Sequence, residues 1–143
     1  MRAPRGFSLI ELLVTLAVAG TLALWVVPAA LDQVRRARRA AAQAGLQEAA
    51  LWLERFRGEH GQYLQTRAGA PMLLPAALQE VPHGAGAAAH YRIALDALDS
   101  QSHTLVAVPQ RAMAGDPCGS FLLNHLGQQS NRDAARSDCW VRP

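Results

Sequence analysis

Glu11 is the residue whose place most needs a chemical reason, because an apolar run free of formal charge follows it from Leu12 to Leu31. A carboxylate in a membrane helix costs roughly 2.5–3.5 kcal/mol at the bilayer centre, so Glu11 needs a partner or must lie at the lipid headgroups. The only two cysteines, Cys118 and Cys139, stand near the C-terminus and lack C-x-x-C spacing. A single disulfide is the simplest reading, which places that part of the chain outside a reducing cytosol. Closing it is worth about 3 kcal/mol in the chain-entropy model. His60, His83, His90, His103 and His125 are scattered without ligand spacing, and Asp96 and Asp99 read as turn residues rather than a calcium loop. No nucleophile motif, phosphate-binding glycine loop or pair of catalytic carboxylates is found. The expectation is no enzyme activity, no metal and no cofactor.

The run from Leu12 to Leu31 is twenty residues long, and at about 1.5 Å per residue a helix of that length crosses about 30 Å of hydrocarbon. A secretory signal, a signal anchor and a specialised leader compete for it. Arg2 and Arg5 form a basic start, and Ala17-Val18-Ala19 has the small residues of a signal cleavage site. Against that reading, Glu11 interrupts the apolar core, and the run continues from Thr21 to Val27.

Gly6-Phe7-Ser8-Leu9-Ile10-Glu11, with a short basic leader before it and a long apolar helix after it, resembles the prepilin signature (class III signal peptide) of the type IV pilin family. The resemblance implies that a prepilin peptidase cuts between Gly6 and Phe7 and that the new N-terminal Phe7 is methylated. It also implies that Glu11 meets the free amine of a neighbouring subunit during assembly. Residues 1–6 are then the leader and 7–31 the transmembrane and filament-core helix. Proline removes a backbone hydrogen bond and clashes with the preceding turn, so a kink is expected at Pro28, where the family also carries a proline.

All fourteen basic side chains are arginine. Losing Arg2 and Arg5 with a leader would leave 12 of the 14 against 11 carboxylates, so the high pI is no argument for a nucleic-acid partner. Arg35, Arg36, Arg38 and Arg39 follow the apolar run and compete, by the positive-inside rule, with the leader arginines for the cytoplasmic side. A solvated helix face is their simplest role.

Alanine, leucine, glutamine and arginine dominate from Ala29 to Gly58, with Gly45 the single internal glycine, so the helix continues through 32–58. Leu46, Ala49, Leu53 and Phe56 form an apolar stripe, with Gln47, Glu48, Glu54 and Arg55 off it. Gly58 and Gly61 are stop signals, and Tyr63 is placed to fold back on the domain. The stretch from Thr66 to Ala89 reads as a loop with a short helix at Ala76 to Glu80. Strands are expected at Tyr91 to Leu95, Thr104 to Val108 and Ser120 to Asn124, with turn residues from Asp96 to Ser102 and from Pro109 to Pro117. The fold class is therefore α+β: a long N-terminal helix packed on a small antiparallel sheet that forms the head, 59–143. Gly61-Gln62-Tyr63, Cys118-Gly119 before an apolar strand, Asn124 and Gly127 at a turn, and Cys139-Trp140 are similar to the heads of pilins of the PilE type.

The expected function is a structural subunit of a type IV pilus, minor rather than major, supporting biogenesis, adhesion, twitching motility or DNA uptake. Its implied partners are other pilins, the peptidase, an inner-membrane assembly platform and the membrane itself. Its implied location is the inner membrane with the head in the periplasm of a Gram-negative bacterium, then the extracellular pilus. Two alternatives stand beside it. One is a type II secretion pseudopilin, which the cysteine pair argues against. The other is a DNA-receptor pilin using Arg132 and Arg136, whose field Asp133 and Asp138 dilute.

Overall fold

A computed structural model describes residues 8–134 and 139–140, the side chains of 23–29 excepted. Gly6, Phe7, Arg136 and Asp138 lie outside the described residues. The chain falls into two compact units, 1–36 and 37–143.

One helix, α1 (Leu9–His60), runs through 52 residues. The Ser8 carbonyl accepts from the amides of Glu11 (3.0 Å) and Leu12 (3.2 Å) at its start, and Glu11 lies in the first turn, where the helix dipole favours a carboxylate. Thr15 and Thr21 donate their hydroxyls to the carbonyls of Leu12 and Val18, both at 2.9 Å, which satisfies them without water. The backbone stays helical through Pro28. Among the described residues no helix is long and apolar enough to cross a membrane; the expected span includes 23–29, whose side chains are not described. Gly58 does not stop the helix. Gly61 does: its φ is +80°, and its amide donates to the Arg57 carbonyl, a conformation glycine adopts without the Cβ clash other residues meet.

The head is a five-stranded antiparallel meander in the order β1 (Glu80–Val81), β2 (Tyr91–Leu98), β3 (His103–Pro109), β4 (Ser120–Asn124), β5 (Gln129–Arg132). All three expected strands are present, and β4 has the expected ends. β2 runs three residues past Leu95, because the ladder with β3 slips between Leu95 and Ala97 and leaves Asp96 as the extra residue of a bulge. The turn is correspondingly shorter than Asp96 to Ser102. In the loop, the helical turn is a 3-10 helix ending at Leu78, and Glu80 enters β1 opposite Arg92. β5 was not expected: Gln-Ser-Asn-Arg has no apolar alternation and pairs at the sheet edge.

Ala42, Leu46, Ala49 and Leu53 of α1 are fully buried against Tyr91, Ile93, Leu105, Ala107 and Phe121 of the sheet. Gly45 permits the close approach, since a Cβ there would sit 2.8 Å from Val81 Cγ2 and 3.0 Å from Ile93 Cδ1. Tyr63 folds into the core as expected, with its amide donating to the Ser100 carbonyl at 3.1 Å.

Candidate functional site

Cys118 and Cys139 are joined in a disulfide with Cα atoms 5.5 Å apart, and both are buried. The sequence reading of the pair is thus realised in the fold, and the staple is tied in from both sides. The Asn131 side chain of β5 donates to the Cys118 carbonyl at 2.8 Å, and Gln43 of α1 donates to the Cys139 carbonyl at 2.9 Å. The Trp140 indole N–H donates to the Ser130 carbonyl at 3.0 Å, and its ring stands edge-on to Phe121 at 5.3 Å. Gly119, at φ +59°, passes so close to β5 that a Cβ would clash with the Arg132 carbonyl. Replacing both cysteines by serine is expected to lower stability by about 2–5 kcal/mol, read as a fall in the urea midpoint with a steeper slope, because the chain without the cross-link exposes more surface when it unfolds.

The arginine cluster separates into different roles. Arg39 grips Asp116, whose side chain is 1% exposed, with Nε 2.9 and 3.1 Å and Nη2 2.7 Å from the carboxylate oxygens. Asp116 Oδ1 also accepts from the Cys118 amide at 2.9 Å. Arg39 is therefore a structural cation that anchors the β3–β4 loop to the helix, which a solvated helix face does not describe. Arg38 is half-buried and close enough to His90 to act with burial, the larger cause, in lowering the pKa of that imidazole. The His90 carbonyl accepts from the Gln110 amide at 2.8 Å, bringing the exposed Arg111 to the same end of the sheet. Arg111 holds φ +49°, uncommon for a residue with a Cβ. Neither Arg38 nor Arg111 has an ion pair among the described residues. Arg132 differs: its Nη2 donates to Asp96 Oδ2 at 2.7 Å, so the bulge in β2 takes up much of its charge.

A second concentration of chemistry was not singled out in the sequence. A cavity of about 370 Å³ is lined on one side by residues 47–54 of α1 and on the other by His103, β4 and the β4–β5 turn. Beside it the Tyr63 hydroxyl donates to Glu54 Oε1 at 2.5 Å, and the Tyr63 ring meets the His103 ring edge-on at 4.7 Å. Burial, then the Glu54 bond, raises the Tyr63 pKa. Among the described residues no group of His, Cys, Asp and Glu could hold a metal ion.

The family model described as "Type IV minor pilin ComP, DNA uptake sequence receptor" matches residues 28–122. The chain belongs to this family of type IV minor pilins. Residues 1–27 of the minor pilin match the model of the prokaryotic N-terminal methylation motif. No curated protein matches it by sequence. Among solved structures it is similar to the non-core minor pilin PilV of Neisseria meningitidis, with a TM-score of 0.52 and 17% identity over 73% of this chain and 93% of that one. A type IV pilin from Shewanella oneidensis is 25% identical over 76% of this chain and 99% of that one, with a TM-score of 0.47. The PilV likeness carries the fold: a long helix on an antiparallel sheet. The family match sets this minor pilin, a structural subunit, apart from the secretion-pseudopilin alternative.

Proposed function

We propose that this minor pilin serves the pilus as a receptor for double-stranded DNA during uptake. The observation that carries the reading is the family match over 28–122, whose description names a DNA uptake sequence receptor. Arg38, His90 and Arg111 support it as a place to hold phosphate. They stand at one end of the sheet, and the adjacent carboxylate, Asp116, is already occupied by Arg39. This patch replaces Arg132, which Asp96 engages.

Processing belongs to the same proposal. The peptidase cuts between Gly6 and Phe7, Phe7 is methylated, and residues 7–31 hold the precursor in the inner membrane with the head in the periplasm. Glu11 then pairs with the Phe7 amine of a neighbouring subunit, and Pro28 marks the weak point of the stem. The persistent disulfide agrees with a head outside the cytosol.

The test is equilibrium binding of the detergent-solubilised protein to duplex DNA across a salt series. Phosphate contacts release counterions, so affinity should fall steeply with salt. Arg38→Gln and Arg111→Gln should each reduce the log–log slope by about 1. Absence of binding at low salt would end the DNA reading while leaving the pilin assignment intact.

A further inference from the structure

The segment from Pro82 to Ala89 arches from β1 to β2, and the His90 amide closes the arch by donating to the Val81 carbonyl at 2.7 Å. It is a strap of small residues. Gly84 at φ +69° and Gly86 at φ +51° occupy a region that glycine enters freely, and Ala89 is its one buried residue. A segment with so few buried contacts opens at low cost in free energy. Among the described residues one hydrogen bond ties the strap to α1, and His83 makes it.

The His83 ring stands between two oxygens. Its Nε2 lies 2.9 Å from Glu48 Oε2 on α1, and its Nδ1 lies 2.5 Å from the Ala77 carbonyl oxygen of the 3-10 helix before β1. Both oxygens are acceptors, whereas a neutral imidazole has one N–H and one lone pair, so it would have to aim that lone pair at one of them. Turning the ring over would bring carbon atoms to the same places, well inside the roughly 3.3 Å of the closest ordinary C–H···O contacts. Only the imidazolium, which donates at both nitrogens, satisfies this geometry. Its surroundings agree. Glu48 is the charged group that faces the ring, the Glu80 carbonyl adds a further acceptor, and no cation among the described residues acts on it. The Glu80 carboxylate is turned elsewhere, accepting from the Gly86 amide at 2.7 Å and lying 4.0 Å from Arg92. The bonds to Glu48 and then to Ala77 raise the His83 pKa.

We propose that His83 is a proton-operated clasp: as the imidazolium it fastens the Pro82–Ala89 strap to Glu48 of α1, and as the neutral ring it lets the strap lift. The fold holds this proton more tightly than the unfolded chain does. The clasp is therefore fully closed below about pH 6.5 and is lost as pH rises through the higher folded value. His90, at the end of the strap, has its pKa lowered by burial and by Arg38, so it is already neutral across that window. The side chains of His83 and Glu48 are 47% and 56% exposed, which limits the clasp to a factor of about two to five in the opening of the strap. The device goes beyond the DNA-receptor reading and does not depend on it.

Two measurements on the detergent-solubilised full chain test it. Followed by its Cε1–H resonance, His83 should titrate above the ordinary midpoint of about 6.5, and Glu48→Gln should bring the midpoint down. Protection of the Gly86, Ala88 and Ala89 amides against hydrogen exchange, corrected for the intrinsic rate, is read in parallel from about pH 6 to 9. It should fall about twofold to fivefold as His83 loses its proton, and should be low and flat in His83→Ala. A His83 midpoint at the ordinary value, protection that does not change across the titration, or a fall of equal size in His83→Ala would overturn the clasp. DNA enters neither readout, so failure of the DNA-receptor reading would leave the result standing.

Discussion

Asp116→Ala is expected to destabilise the head by about 3–5 kcal/mol, the usual cost of removing one partner of a buried ion pair. The carboxylate is nearly inaccessible and receives four donated contacts, three from the Arg39 guanidinium and one from the Cys118 amide. Truncation would take the carboxylate away from a guanidinium whose side chain is only 15% exposed and leave the Cys118 amide without its side-chain acceptor. Asp116→Asn keeps the shape and one acceptor, and should lose about half as much. The urea midpoint of the solubilised chain, followed by tryptophan fluorescence, reads both variants. Because Asp116 Oδ1 holds the amide of a disulfide cysteine, its loss and the loss of the disulfide should not add. A full double-mutant cycle that proved additive would mean that the ion pair and the staple stabilise separate regions.

Glu11→Val should reduce the pilus-associated fraction of the protein at least about tenfold while its membrane level is unchanged or raised. In the proposed assembly step the carboxylate neutralises the Phe7 amine of a neighbour. An uncompensated charge in hydrocarbon costs roughly 2.5–3.5 kcal/mol, about a hundredfold in an assembly equilibrium. Glu11→Gln retains hydrogen bonding without charge and should fall between Val and the natural residue. Immunoblots of sheared pili against membranes give the ratio directly. An unchanged ratio for Glu11→Val would show that the carboxylate sits at the headgroups and plays no part in assembly.

Where periodicity and strong chemistry coincided, the sequence was readable. The stripe Leu46, Ala49, Leu53 gave the buried face of α1, and the β-branched and apolar runs gave the three central strands. Two cysteines allowed only one intramolecular pairing. Elsewhere the signal was tertiary. β5 is a polar edge strand whose place is set by Gly119 approaching its backbone and by the Asn131 bond to Cys118, neither of which alters local composition. The bulge at Asp96 hid the end of β2 because Ala97 and Leu98 resume the pairing after a slip. Arg39 was indistinguishable from its neighbours until the fold brought Asp116, 77 residues away, against it. His103 carried a usable clue: it continues the inward alternation of Leu105 and Ala107, and a strand begun one residue earlier than Thr104 would have pointed it into the head.

The most direct test of the account is the intact mass of this protein recovered from sheared, purified pili. Presence in the pilus, a chain beginning at methylated Phe7, and a mass lower by the two hydrogens of a Cys118–Cys139 disulfide are the predicted result. A mature chain beginning at Gly20, or a protein confined to the cells with Met1 retained, would contradict it.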